Sequence, residues 1–237
     1  MNDAAEEDHI KRFNSVIDEC QIFCSITRDS GLQRVACANL ETLLNDCGDL
    51  KSEAIASGNE DFANLLLGFE CIATCLLSEI KMWLLLKAEE PDAAWDRLIT
   101  APMAATAAVR AHNGFAHLGK YAEHLEMVEK VVFPPQVFIS SGLIVRHQEC
   151  SICGSEYGEC EHLAGKPYWG QFCSIVAKDI EANHVAIVEN PADKRCRIVH
   201  YTADGGERNR MTWKIEPTKP GNRDDASRPA IHDATGK

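Results

Sequence analysis

The sequence predicts an α+β protein in which an N-terminal antiparallel helical bundle is followed by a small antiparallel β module and a flexible tail. Before Phe133-Pro134-Pro135, apolar residues recur at the spacing of helices, and after it come short β-branched runs separated by turns. From residue 203 onward Gly, Pro, Asp and Arg dominate. We therefore predict a bundle over 1–133, a β module over 134–202 and a mobile tail over 203–237.

Composition bounds the class of protein and its compartment. The 237 residues contain 45% hydrophobic and 25% charged residues, which is typical of globular chains. A net charge of −12 repels phosphate backbones and argues against a general nucleic-acid binder. The first ten residues are acidic where a secretory signal would be basic and apolar. We expect a cytoplasmic protein whose eleven cysteines are reduced thiols, some of them bound to a metal.

Helix boundaries follow from caps and glycines. A first helix has apolar positions between Ile10 and Cys24, and a second is expected to end at Gly48, with a short third helix over 49–57. Asn59 is a good N-cap for the longest helix, which we predict to reach about Glu89. Its apolar stretch is interrupted by three charged residues, so we predict a buried helix and not a membrane span.

Proline and glycine organise the rest of the bundle. Pro91 suits the first turn of the next helix, and Pro102 is expected to kink or split it. A last helix should follow Asn113-Gly114.

Beyond Pro135, the residues around Ser141-Gly142 predict a hairpin between Val137–Ser140 and Leu143–Arg146. Later strands are expected at Phe172–Ala177, His184–Val188 and Arg195–Tyr201.

Four metal-ligating side chains lie close together in the β module. Two cysteines separated by two residues can turn both sulfurs towards one point, and a glycine follows the second cysteine. Six residues later a cysteine and a histidine flank a single residue, so an extended backbone turns both the same way. Three sulfurs and one imidazole are a common tetrahedral set for Zn²⁺, and a closed set of four makes the metal structural. The predicted zinc ligands are Cys150, Cys153, Cys160 and His162.

Other cysteines and histidines leave alternatives open. Cys173 and His147 are possible substitutes for His162 in the fourth position. A second four-sulfur site is also conceivable, because two cysteine pairs are spaced four residues apart on helical faces. Buried cysteines more often act as small hydrophobic residues. The four residues concerned are Cys20, Cys24, Cys71 and Cys75.

Residues 147–199 resemble a Cys/His segment of uncharacterised phage and prophage proteins. The resemblance is carried by CSICG, EYGECEH, GKPYWGQFC and HVAIVENPADKRC. The last piece is similar to the closing strand of phage prohead proteases, in which an apolar strand runs into Pro-Ala, here Pro191 and Ala192. The resemblance covers about a fifth of the chain. It implies a phage, prophage or mobile-element context, and the protease family implies a Ser/His catalytic pair.

Three hypotheses of function follow. The first is a non-enzymatic, zinc-stabilised interaction or adaptor protein that binds a protein partner or itself, because no convergent acid, base and nucleophile is visible. The second is a divergent peptidase or other hydrolase using His147 and Ser174. The third is nucleic-acid binding through basic residues of the zinc module. Those basic residues are Arg146, Lys166, Lys178, Lys194, Arg195 and Arg197.

Overall fold

The structure, a computed structural model, describes residues 3–217, which form five α-helices followed by short antiparallel sheets. The prediction of an α+β chain with its helical bundle first is confirmed. The described residues divide into two units, one that ends at Ile198 and one that begins at Val199. The helices are α1 (Asp3–Gln21), α2 (Ser30–Ala56), α3 (Glu60–Lys87), α4 (Pro91–Ala111) and α5 (Gly119–Val132), with a 3-10 helix at Asn113–Leu118 before α5.

Helix α3 is the core of the bundle and packs against both α2 and α4. The Asn59 side chain accepts a hydrogen bond from the Phe62 N–H at 3.1 Å, which confirms the predicted N-cap. Within residues 3–217, α3 is the one helix long and apolar enough to cross a bilayer, and 67% of its most apolar window is buried inside the protein. Its apolar residues therefore serve the packing of the bundle.

Two predicted helix boundaries are wrong. Helix α2 continues through Gly48 to Ala56, so residues 49–56 are not a separate helix. The physical reason is that the buried stripe continues: Leu43, Cys47 and Ala54 lie on one helical face and are all buried. Pro102 lies inside the continuous helix α4, so the predicted split is wrong, whereas a kink at Pro102 stays a prediction.

Gly48 and Gly68, which both lie inside helices, predict opposite effects of the same substitution. At Gly48 the nearest atom to an added Cβ is 4.0 Å away, so Gly48→Ala should raise the free energy of unfolding by about 0.5–1 kcal/mol. At Gly68 an added Cβ would overlap the buried ring of Phe115, and overpacking typically costs about 1–3 kcal/mol. Urea unfolding of both variants measures the difference, and equal shifts in the same direction would contradict this packing.

The strands of the first unit form a long two-stranded ribbon and a short hairpin. Strand β1 (Phe138–Cys150) pairs antiparallel with β4 (Ile175–Val188), and β2 (Pro167–Tyr168) pairs with β3 (Gln171–Phe172). The predicted hairpin at Ser141-Gly142 is therefore wrong, since β1 runs straight through it. Gly142 lies opposite His184, whose ring occupies the place of a Cβ, so this glycine serves a close cross-strand contact instead of a turn.

The ribbon is anchored to the helices at its Phe138 end. Trp95 of α4 is 1% exposed, and its ring contacts Phe133 and Phe138 at centroid distances of 5.4 and 6.3 Å. The Trp95 indole N–H donates to the Lys194 carbonyl at 3.0 Å. The guanidinium of Arg197 lies over the same indole and forms an ion pair with Asp92 at 2.5 Å. These contacts form a buried joint between α4 and the β module.

The second unit contains a three-stranded antiparallel sheet of β5 (His200–Ala203), β6 (Gly206–Asn209) and β7 (Ile215–Glu216). The buried carboxamide of Asn209 accepts hydrogen bonds from the N–H groups of Met211 and Thr212 at 2.7 and 2.9 Å. The region predicted as a tail from residue 203 thus begins with two strands that the sequence did not predict. Residues 218–237 of the predicted tail lie outside the described residues.

Candidate metal centre

The four predicted ligands converge. One ligand atom from each of Cys150, Cys153, Cys160 and His162 lies within 4.8 Å of the other three. Cys150 ends strand β1, and Cys153 lies in the turn that follows. Cys160 directly follows the short 3-10 helix Tyr157–Glu159. The end of strand β1 and two irregular turns after it thus bring three sulfurs and one imidazole together. This set of four atoms could hold a metal ion.

The turn after β1 is shaped by backbone hydrogen bonds around Cys150. The Gly154 N–H donates to the Cys150 carbonyl at 2.8 Å, and Gly154 has a φ of +73°, which L side chains rarely adopt. The Cys150 N–H donates to the Ser155 carbonyl at 2.9 Å, and the Ile152 N–H donates to the Cys150 sulfur at 3.4 Å. The glycine after the second cysteine therefore closes the turn and aims both sulfurs inward.

Backbone donors also favour the thiolate forms of the two cysteines in this turn. Burial alone would raise the pKa of Cys150. Hydrogen bonds to its sulfur from the N–H groups of Cys153 and Ile152, and from the side chains of Cys173 and Cys153, bring that pKa down to about 7. Hydrogen bonds from the Ser155 backbone and side chain lower the pKa of Cys153. The thiolate is the form of cysteine that binds metals, so the local backbone prepares both sulfurs for that role.

His162 has a buried nitrogen that the protein leaves without a partner. Its Nδ1 finds no hydrogen-bond partner within residues 3–217, although buried polar atoms are nearly always paired. The imidazole ring meets the ring of Tyr168 edge-on at 4.8 Å between centroids. The hydroxyls of Tyr168 and Tyr157 accept hydrogen bonds from the N–H groups of Leu163 and Ala164, both at 3.0 Å. The two tyrosines therefore fix the backbone after His162, and a metal ion would satisfy the unpaired nitrogen.

The loop between β2 and β3 attaches this cluster to helix α3. The Gly170 N–H donates to the Asn64 side chain at 2.9 Å, and the Trp169 N–H donates to the Glu60 carboxylate at 3.2 Å. Gly170 has a φ of +71° and packs against Lys51 and the Ala63 carbonyl. These contacts and the two tyrosine hydroxyls hold the backbone around the four candidate ligands, and the sequence did not predict them. Only the Gly170 backbone had a sequence signal, as a Trp-Gly turn between two short apolar segments.

The alternative ligands occupy different places. Cys173 is buried, and its sulfur lies 3.7 Å from that of Cys150. His147 is on the ribbon, where its Nε2 lies 3.7 Å from an Asp179 carboxylate oxygen, and both side chains are well exposed. Across residues 3–217 no second group of three or more potential ligands converges. The cysteines weighed for a second site, Cys20, Cys24, Cys71 and Cys75, are free thiols and do not come together in such a group.

The proposed catalytic pair is kept apart by the strand register. Ser174 lies opposite Ser151, whose N–H donates to the Ser174 carbonyl at 3.0 Å. His147 is four residues earlier on β1, opposite Lys178. At about 3.3 Å per residue, the two backbone levels differ by about 13 Å, which is beyond hydrogen-bond reach of the two side chains.

A buried carboxyl group inside the bundle makes the stability of the protein depend on pH. Glu79 is 1% exposed and accepts hydrogen bonds from the Tyr121 hydroxyl and, at 3.4 Å, from the Trp83 indole. Burial raises the pKa of Glu79 above 4.5, and the two hydrogen bonds oppose this rise only in part. The folded protein therefore binds the Glu79 proton more tightly than the unfolded chain does.

We expect this carboxyl to lower stability as pH rises from about 4.5 through its folded-state pKa, because the unfolded chain ionises first. Glu79→Gln should flatten that part of the curve of unfolding free energy against pH. Glu53→Gln, at an exposed position, is the control substitution. Thermal unfolding across a pH series measures both. A slope unchanged by Glu79→Gln would show that other groups cause it.

Comparison with protein-family models, with curated proteins and with solved structures found no match to this chain.

Proposed function

We propose that the chain is a non-enzymatic, zinc-stabilised interaction protein of the cytoplasm. The observation that carries the proposal is the convergence of four metal-ligating atoms within 4.8 Å of one another. Beside them, the Nδ1 atom of His162 has no hydrogen-bond partner among residues 3–217. Three thiolates and one imidazole match the tetrahedral coordination of structural zinc. The phage-like Cys/His segment favours a phage, prophage or mobile-element context, by analogy alone.

The zinc would organise a region with little apolar core. Between Cys150 and Cys173, the two cysteines that bound the segment are its buried apolar residues, and its regular structure is a single two-residue hairpin and one 3-10 turn. Structural zinc binding contributes about 10–16 kcal/mol in small zinc peptides, far more than this segment gains from burial. A closed site with four protein ligands leaves no position for a substrate, which favours a structural role.

The ribbon of β1 and β4 supplies the interaction surface in this proposal. One of its faces has exposed, uncharged apolar side chains, with exposed fractions of 50% at Leu143, 53% at Ile180, 69% at Val185 and 74% at Ile187. An isolated two-stranded ribbon is marginally stable in water and gains from a second layer. We infer that a second copy of the chain covers this face. The face has no charge between Ile139 and Val145, so pairing two copies here avoids the repulsion expected of a chain with net charge −12.

Val185→Lys should abolish this self-association. Burying an unpaired charge costs about 3–5 kcal/mol, which weakens association by at least about 100-fold. Ile144→Lys, on the opposite face of the ribbon, is the matched control and should leave association intact. Sedimentation velocity over a concentration series should show dimers for the unchanged protein and the control, and monomers for Val185→Lys. A protein that stays monomeric at every concentration would contradict the role of a second copy.

The two other hypotheses gain less from the structure. The separation of His147 from Ser174 removes the geometric basis for the hydrolase. Nucleic-acid binding needs free cationic side chains, and five of the six basic residues considered for it lie in ion pairs with acidic residues. These pairs are Arg146–Glu181, Lys178–Glu149, Lys194–Glu129, Arg195–Asp193 and Arg197–Asp92.

A further inference from the structure

A fourth sulfur, that of Cys173, lies beside the candidate metal centre but outside the group of four atoms that lie within 4.8 Å of one another. Cys173 directly follows strand β3, is 2% exposed, and places its sulfur 3.7 Å from that of Cys150. Two thiolates bound at about 2.3 Å to one tetrahedral zinc ion lie about 3.8 Å apart, whereas the sulfurs of a disulfide lie about 2.05 Å apart. The observed separation excludes a disulfide and fits both a hydrogen bond between the two thiols and two thiolates that share one ion.

The backbone fixes Cys173 beside the cluster. Its N–H donates to the Lys166 carbonyl at 2.9 Å, and its carbonyl accepts from the Gly165 N–H at 2.8 Å. The next residue, Ser174, is bonded in both directions to Ser151 of the Cys150–Cys153 turn, with its N–H donating to the Ser151 hydroxyl at 2.8 Å. Cys173 is therefore held by the β2–β3 hairpin and by the first cysteine turn together, and its place beside Cys150 does not depend on a mobile loop.

We propose that Cys173 is an alternative fourth ligand that exchanges with His162. The centre would then have five donors for four positions, with Cys150, Cys153 and Cys160 common to a three-sulfur set and a four-sulfur set. In the exchange the Cys173 sulfur would take the position that the imidazole of His162 leaves, and the proton of the Cys173 thiol would pass to water, so charge and protons balance. The inference rests on the proposed zinc site and adds that one ligand can leave without loss of the ion.

Four variants test the exchange: His162→Asn, Cys173→Ser, the two combined, and Cys196→Ser as a control at an exposed cysteine outside the cluster. The readout is the affinity for zinc in competition with a chromophoric chelator. Each single variant should lose about 10-fold or less, because the other donor replaces the missing one. The double variant should lose more than about 1,000-fold, which exceeds the product of the two single losses. The control should match the unchanged protein.

Cobalt substitution counts the sulfurs directly, because the intensity of sulfur-to-cobalt charge transfer increases with the number of bound thiolates. His162→Asn should show the intensity of four thiolates and Cys173→Ser that of three. If Cys173→Ser changes neither the affinity nor the cobalt spectrum, alone or combined with His162→Asn, the exchange is refuted while the zinc site stands. If the unchanged protein binds neither metal, the proposed zinc site fails and the exchange fails with it. Helical dichroism of each variant shows that the bundle remains folded.

Discussion

Cys150→Ser is expected to abolish tight metal binding and to unfold the segment between β1 and β4 while most of the helical signal remains. Cys150 is 1% exposed and belongs to both proposed ligand sets. Cys173 lies outside the group of four atoms that lie within 4.8 Å of one another, so we expect it to replace His162 but not Cys150. Loss of even an outer hydrogen-bond partner of a metal ligand costs about 10–100-fold in affinity, and loss of the ligand itself should exceed 100-fold. Zinc titration and limited proteolysis at residues 151–172 measure the two effects.

The matched control is Cys196→Ser, an exposed cysteine of the same unit that lies outside the cluster. It should keep both the metal and the protease resistance. The far-UV dichroism of Cys150→Ser should stay close to that of the unchanged protein, because the five helices have a separate core. An unaltered affinity for zinc in Cys150→Ser would show that the four donors do not share an ion.

Trp95→Ala is expected to cause a large loss of stability. The indole fills the joint between α4 and the β module, against Phe133 and Phe138, and donates to the Lys194 carbonyl. Removing a buried tryptophan typically costs about 3–5 kcal/mol, and here the Lys194 carbonyl also loses its donor. Denaturant unfolding measures the change in the free energy of unfolding.

Val131→Ala on α5 is the comparison for that experiment. Val131 is 84% exposed, so its truncation should change the free energy of unfolding by no more than about 0.5 kcal/mol. A Trp95→Ala protein with the stability of the Val131→Ala protein would contradict the buried joint.

The features predicted well from the sequence are those decided by neighbouring residues. The Asn59 cap and the start of α4 at Pro91 depend on local backbone chemistry, and both are where the sequence indicates them. The four clustered ligands are also decided by neighbouring residues, because one turn brings Cys150 and Cys153 together and another brings Cys160 and His162 together. Their spacing along the chain therefore carried most of the geometric information.

The features that escaped prediction depend on contacts between distant residues. Gly48 indicates a helix end when only its sequence neighbours are considered, because they do not show that Ala54 continues the buried face of α2. Ser141-Gly142 indicates a turn in the sequence, but the cross-strand partner of Gly142 is His184, 42 positions away on a strand whose register the sequence does not reveal. The support of Gly170 by Asn64 is equally remote along the chain. Secondary-structure propensity and hydrophobic periodicity predict neither the register of paired strands nor the contacts between distant segments.

The zinc content of the protein tests the proposed centre most directly. The full chain is purified under reducing conditions without added metal, treated with a chelator, reloaded with zinc, and analysed by mass spectrometry under native conditions beside the Cys150→Ser variant. We predict one zinc ion per chain and no ion in Cys150→Ser. The mass of the protein should rise by the mass of zinc less the mass of the protons that the ligands release. A reloaded chain without stoichiometric zinc, or a variant that binds as much zinc as the unchanged protein, would contradict the metal centre described above.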